Sequence, residues 1–408
     1  MTGLSPDATV AVVGASLAGL SAVRALRTQG HTGTIVVVGE ESHRPYDRPP
    51  LSKGFLAGTT SADELRLEAP GEDLDVDWRL GTRATALDAA TRTLALETTE
   101  GPATLTADGV VLATGATARP LPGSGGLAGV YTVRTLDDAE ALRAELLRAS
   151  RLVVVGAGFV GAEVASTARG LGLEVTVVEA LTAPLAGPLG ARMGAVVASL
   201  HERHGVRLLC GSGVSALHGT SRVEAVELAD GRLLPADVVV VGIGAVPATD
   251  WLHGSGLALG DGVLCDAGGL TSAPGVVAVG DCAAWWEDAH SRHRRVEHWS
   301  EALERPAVAV AGLLAGESRP GPRRPHWFWS EQYDTYVQFA GSAGLDEEVT
   351  VEVGELDEHR FVAAYRAGGR LTAVLGMGLP KEFRRWRKEL ERSVAAEAGV
   401  AESAHEPR

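Results

Sequence analysis

The chain has 408 residues, 45% of them hydrophobic and 22% charged, with 51 glycines and a formal net charge of −15. That length supports two or three domains with cores of their own, and the composition fits a soluble α/β enzyme. The acidic balance argues against general nucleic-acid or anionic-membrane binding, and no uninterrupted apolar stretch approaches the ~20 residues of a membrane-spanning helix. The opening MTGLSPDATVAVVG has no basic leader ahead of its first apolar run, so no export signal is read and a cytoplasmic location is expected.

In chain order, residues 8–40 predict strand, glycine turn, helix and strand, and VVLATG at 110–115 predicts another buried strand. The Arg119-Pro120-Leu121-Pro122-Gly123 stretch marks a linker. Residues 151–179 then repeat the strand–turn–helix–strand unit, and VVVVGIG at 238–244 mirrors VVLATG. VVAVGD at 276–281 predicts a buried strand whose end presents Asp281; the Cys282-Ala283-Ala284-Trp285 that follows reads as the start of a helix, for which Asp281 would be the N-cap. Beyond Gly321, clustered aromatics and alternating runs such as EEVTVEV and RFVAAYR predict an antiparallel sheet. KEFRRWRKELER at 381–392 predicts a basic helix, and the last dozen residues a frayed tail.

The repeat is the informative feature. VAVVGASLAG and LVVVGAGFVG place Gly14 and Gly156 142 residues apart, and Ser16/Gly158 and Gly19/Gly161 keep the same offset. In such a turn the first glycine bends the chain, the second lets the backbone approach a pyrophosphate, and the third packs helix on strand. The backbone N–H groups that open the helix, at Leu17 and Ala18 in one copy and Phe159 and Val160 in the other, meet the phosphates. Ser16 departs from glycine, but its hydroxyl can donate to a phosphate. Each unit ends in an acid, Glu40 at 21 residues past Gly19 and Glu179 at 18 past Gly161. A carboxylate there accepts from ribose hydroxyls and repels a 2′-phosphate, and no Lys or Arg follows Glu179 until Arg192; NADH is therefore expected rather than NADPH. Ala113-Thr114-Gly115 and Gly280-Asp281 add grip at the first turn, as a larger, permanently held dinucleotide requires, with Asp281 suited to the ribityl hydroxyls of a flavin. Gly242 and Gly244 are the counterparts at the second turn.

The three cysteines, Cys210, Cys265 and Cys282, form no CxxC or CxxxxC pair, so a redox dithiol has no local motif. His290, His293 and His298 lack a supporting carboxylate pattern, and no metal site is expected. Taken alone, Lys53 reads equally as a solvated lysine on a proline-stiffened loop, and Glu163 as an acid favoured by the helix N-terminus. Trp299 and Trp329 read more readily as core than as cofactor platforms.

Several strings go further than the fingerprints. PYDRPPLSK at 45–53, ATGATARPLPG, VGD followed by Ala283, Glu297-His298-Trp299 and Phe328-Trp329-Ser330-Glu331-Gln332-Tyr333 together resemble the FAD-dependent pyridine nucleotide–disulfide oxidoreductase superfamily. The nearest likeness within it is to the ferredoxin reductases of oxygenase systems. The resemblance implies an α/β fold with two Rossmann-like dinucleotide-binding domains, FAD and NAD, plus a small α+β C-terminal domain. The expected boundaries are 1–117 with 246–322 for FAD, 118–245 for NAD and 323–408 for the C-terminal domain. It implies that Arg48 and Lys53 lie beside FAD, that Lys53 pairs with Glu163, and that Trp329 lies near the flavin and nicotinamide rings; Arg119, His298 and Trp299 join the cofactor set. EHWSEALERP at 297–306 is only a loose match to the family pattern.

The expected activity is that of an NADH-dependent flavoprotein reducing a [2Fe–2S] ferredoxin that serves a cytochrome P450 or a Rieske oxygenase. Rubredoxin reductase and a non-turnover NADH sensor resembling apoptosis-inducing factor are the alternatives. A disulfide reductase lacks its dithiol, and a thiol peroxidase lacks a cysteine in the region around 40–50. Ferredoxins are usually acidic, so docking on this acidic chain calls for a local basic patch. The candidates are Arg292, Arg294, Arg295, Arg323 and Arg324, and the basic helix, where Lys381, Arg384, Arg385, Arg387, Lys388 and Arg392 outnumber Glu382, Glu389 and Glu391.

Overall fold

A computed structural model describes residues 3–322, 324–344 and 347–404. The chain forms two compact units. The first comprises Met1–Asp47, Leu65–Thr117 and Val246–Pro322; the second comprises Arg48–Glu64, Ala118–Ala245 and Arg323–Arg408. Two of the five points at which the chain changes unit fall in the short strands Ala116–Ala118 and Ala245–Pro247.

The first unit is built on a five-stranded parallel sheet in the order Val276–Ala278, Gly109–Leu112, Val10–Val13, Ile35–Val38, Val76–Arg79. The fingerprint strand is central, with Val12 opposite both Val37 and Val111. Its β-branched residues are buried on both faces, as parallel sheets require. The glycine turn thus leaves the sheet at the carboxyl end of its middle strand, where such sheets bind ligands. Asp281 lies in a single 3₁₀ turn, Gly280–Cys282, and the chain continues as the strand Ala283–Glu287, not as the helix its alanines suggest. Trp285 accounts for the difference: it is buried in the core of this unit and donates its indole N–H to the Ala278 carbonyl at 2.9 Å.

The second unit repeats the architecture. Its parallel sheet runs Arg207–Cys210, Glu174–Glu179, Arg151–Val155, Val238–Val241, Val130–Tyr131, with Val154 opposite Val177 and Val240. The same unit holds a five-stranded antiparallel sheet within 327–377, in the order Trp327–Gln332, Thr335–Gly341, Arg370–Met377, Arg360–Ala367, Glu348–Glu355. The C-terminal helix Pro380–Ala404 lays Phe383 and Leu390 on one face of it. The helix continues into the stretch expected to fray; residues 405–408 lie outside those described. Residues 48–64, read from sequence as part of the first domain, pack with the second unit: Leu56 is buried beside Leu142, Leu146 and Val164.

Candidate functional site

The two glycine turns obey the same internal constraints. Gly14 has φ +121°, and a Cβ on it would lie 2.1 Å from the Ala113 carbonyl oxygen; Gly156, at φ +101°, would meet the Gly242 oxygen at 2.3 Å. Gly19 and Gly161 pack their helices against the Gly14 and Gly156 carbonyls, where a Cβ would come to 1.9 and 2.3 Å. These four glycines are therefore required by the protein's own backbone. The middle position is different. Around Gly158 the nearest protein atom to an added Cβ is 4.0 Å away, so a side chain is excluded there only by something the protein does not itself supply. Neither Ser16 nor Gly158 caps its helix through a side chain, and neither first turn carries an acid. Neither positive helix end is met by an acid of its own first turn.

The surroundings of the two turns diverge. At the first, Gly280 approaches Ala18 closely enough that a Cβ would lie 2.9 Å away, which brings the Asp281 turn to the helix start. Thr114 donates to the Ala248 carbonyl at 2.8 Å. Glu40 is exposed, 3.7 Å from the Arg83 guanidinium. Trp299 donates to the Asp47 carboxylate at 2.8 Å, and His298 is the N-cap residue of the helix Trp299–Ala315. At the second turn the acid is already engaged: Glu179 accepts from the backbone N–H of Ala157, inside the glycine loop, and from that of Leu181, both at 2.9 Å. Phe159 packs edge-on against Phe328 at 4.7 Å, Val160 is exposed, and the Arg119 N–H donates to the Gly244 carbonyl at 2.9 Å.

Lys53 and Glu163 meet. The ammonium lies 2.7 Å from Oε2, and the carboxylate is buried. Ser52 donates to the same oxygen at 2.5 Å, and Ser330 donates to Oε1 at 2.7 Å. Lys53 also donates to the Pro49 carbonyl at 2.9 Å, and Arg48 to the Arg134 carbonyl at 2.6 Å. One face of the second fingerprint helix, Phe159–Gly170, organises this cluster: Thr167, one turn beyond Glu163, donates to the Ser52 carbonyl at 2.8 Å, and Ser166 accepts the Tyr333 N–H at 2.7 Å. Sequence reasoning missed Ser52 and Ser330. The one signal was the alternation of Phe328, Ser330 and Gln332 along a strand, which puts polar residues on a face that is buried. Trp329 lies on the other face, stacked on Trp327 at 5.6 Å.

No metal-binding group of His, Cys, Asp or Glu occurs among the described residues. Cys265 and Cys282 are buried, and burial raises the pKa of both thiols, away from the reactive thiolate. Cys210 is exposed on the edge strand of its sheet, with no cysteine partner. The proposed basic residues differ in availability. Arg295 is bridged to Asp261 at 3.0 Å and to Glu297, and Arg294 lies 3.6 Å from Glu287. Arg292 and Arg324 are exposed, and Arg323 lies outside the described residues. On the C-terminal helix, Lys381, Arg384, Arg385 and Lys388 are exposed on one face and form no ion pair among the described residues. Arg387 instead covers the Trp327 ring at 4.8 Å, and Arg392 pairs with Glu389.

Residues 8–305 match the sequence profile of the pyridine nucleotide-disulphide oxidoreductase family, and 327–406 that of the reductase C-terminal domain. The chain is 39% identical over 377 residues to the biphenyl dioxygenase system ferredoxin–NAD(+) reductase component of Paraburkholderia xenovorans, covering 92% of this chain and 91% of that one. It is 34% identical over 389 residues to putidaredoxin reductase of Pseudomonas putida, covering 93% and 91%. Among solved structures, the reductase of the covalent putidaredoxin reductase–putidaredoxin complex superposes with a TM-score of 0.88 at 32% identity, over 95% of this chain and 93% of that one.

The contrast between the glycines of the second turn is testable. Gly156→Ala should destabilise the second unit by about 2 kcal/mol or more, because both the backbone and the space forbid it. Gly158→Ala should leave urea unfolding within about 0.5 kcal/mol of the parent but weaken NADH binding about tenfold, as read by nucleotide titration. Equal effects at both positions would show that Gly158 serves packing alone.

Proposed function

The chain belongs to the pyridine nucleotide-disulphide oxidoreductase family, and from that premise we propose that it is an NADH-dependent FAD enzyme reducing a [2Fe–2S] ferredoxin that serves a cytochrome P450 or Rieske oxygenase. The observation that carries this reading is the pair of glycine turns, the second of them open at Gly158, on a chain whose thiols form no disulfide and whose two core cysteines are buried. The residues fit both groups. FAD is assigned to the turn at Gly14, reinforced by Thr114 and Asp281, with Glu40 at the ribose. NADH is assigned to the turn at Gly156, with Glu179 at the ribose, its carboxylate held by two backbone N–H groups. FAD held there would supply two-electron acceptance from NADH and one-electron release to an iron–sulfur acceptor, while binding, orientation and electrostatics are the protein's contribution. Lys53, held by Glu163, is assigned to support of the reduced flavin, because a cation favours its negatively charged form. Trp329 is kept as a member of the ring-binding set. A cytoplasmic location, where NADH is available, belongs to the same reading.

The acceptor must take electrons directly, since the chain offers no dithiol to relay them. For docking, the exposed face Lys381, Arg384, Arg385 and Lys388 is favoured over the 292–295 hairpin, where Arg294 and Arg295 are already matched by acids. Complementary charge of this kind sets encounter rate and register more than final affinity.

Purified protein should show flavin bands that bleach anaerobically on adding NADH, and should reduce cytochrome c only when ferredoxin is supplied. Bleaching without turnover on any ferredoxin or rubredoxin would favour the sensing alternative. Glu179→Arg should raise KM for NADH and lower it for NADPH; an unchanged preference would remove Glu179 from the ribose site. Reversing Arg384, Arg385 and Lys388 to Glu should raise KM for ferredoxin about tenfold or more and flatten its salt dependence, with ferricyanide reduction unaffected. If ferredoxin kinetics do not change, the docking face lies elsewhere.

A further inference from the structure

The Glu163 carboxylate is held from the side opposite Lys53 by residues with no assigned role. Ser330 and Gln332 are both buried on the strand Trp327–Gln332, where apolar side chains would cost nothing to bury. Gln332 donates its amide N–H to Ser330 Oγ at 3.1 Å, and Ser330 donates to Glu163 Oε1 at 2.7 Å. A hydroxyl has one proton, so accepting from Gln332 commits Ser330 to point that proton at the carboxylate. The strand cannot drift from the helix, because Tyr333 at its end donates its N–H to Ser166 and its hydroxyl lies 2.6 Å from His201 Nδ1. On the other side, Lys53 has three N–H groups; it donates to Glu163 at 2.7 Å and to the Pro49 carbonyl at 2.9 Å, and a longer contact of 3.5 Å runs to Ser52 Oγ, whose own proton goes to the same carboxylate. With both carboxylate oxygens fixed, the ammonium that they and the Pro49 carbonyl hold is fixed too. The residue type supports the point. Of 37 cationic residues only three are lysines, Lys53, Lys381 and Lys388; at the buried pair the chain uses a compact ammonium, not its usual guanidinium.

We infer that Ser330 and Gln332 are positioning residues for the Lys53–Glu163 pair, a donor chain that fixes the carboxylate and through it the orientation of the Lys53 ammonium. The inference rests on the role given to Lys53 above, and two measurements separate the claims. The first does not depend on activity: amine-directed reductive methylation of the full-length protein, read by mass spectrometry, with exposed Lys381 and Lys388 as internal references. Lys53 should react slowly in the parent and several-fold faster in Ser330→Ala, while Ser330→Thr, which keeps the hydroxyl, should restore protection.

The second measurement is anaerobic stopped-flow bleaching of the flavin by NADH. Ser330→Ala should slow it about tenfold, the value of one hydrogen bond to a charged group, with the NADH concentration for half-saturation changed less than about twofold. Lys53→Ala/Ser330→Ala should be no slower than Lys53→Ala alone, because both act through one ammonium. Should Ser330→Ala not retain flavin, Gln332→Leu carries the same expectation of non-additivity. Fully multiplicative rates, or unchanged Lys53 methylation in Ser330→Ala, would overturn the positioning role. Parent-like bleaching by Lys53→Ala would instead overturn the reading of Lys53, leaving the methylation result to judge Ser330.

Discussion

A single buried carboxylate ties together parts of the chain that sequence keeps more than a hundred residues apart. Glu163 would be expensive to bury alone, since an unpaired charge in the interior costs several kcal/mol. It is tolerated because Lys53, Ser52 and Ser330 all donate to it. The converse matters more: the loop at 48–53 and the strand at 327–332 are each committed to the second fingerprint helix by the need to satisfy that charge. Thr167 and Ser166 extend the same helix face by one turn and secure both segments through backbone groups. Apolar packing of Phe159 on Phe328 closes the helix start against the strand.

The two dinucleotide turns show how a repeated motif keeps one set of constraints and relaxes another. Gly14, Gly19, Gly156 and Gly161 answer to neighbouring carbonyls and are fixed in both copies. At the middle position the second copy leaves 4.0 Å between an added Cβ and the nearest protein atom, and that is where the copies differ, serine in one and glycine in the other. The acids differ in the same spirit. Glu179 is pre-set by two backbone N–H groups, whereas Glu40 is exposed beside Arg83. A nucleotide that comes and goes each turnover benefits from a carboxylate whose orientation has already been paid for; a resident cofactor can order its own.

Much of this was legible in the residues. The strands at 10–13 and 151–155 followed from β-branched runs ending in glycine, and the antiparallel sheet from alternation. The helix expected after Asp281 failed because alanine propensity is weak beside the burial of Trp285, which makes that segment a strand. Lys53 and Glu163 stand 110 residues apart, so their pairing came only with the family likeness. Ser52 was invisible for a physical reason: a lone serine has no periodic or compositional signature; for Ser330 and Gln332 the strand alternation marks a shared face but not what that face meets. The basic residues divided in the same way. A charge run in sequence says nothing of which members are already neutralised, and Arg295, flanked by Asp261 and Glu297, is one that is.

The buried positions of Cys265 and Cys282 bear on how such an enzyme ages in use. A reductase that relays electrons through its own dithiol alternates between two covalent forms and depends on the thiol poise of its surroundings. Here no two cysteines are bonded, and the two core sulfurs are kept as thiols out of reach of solvent oxidants. A chain whose cysteines stand singly has no disulfide that a peroxide could lock in the wrong state, and only Cys210 of the three lies where such an oxidant can reach it.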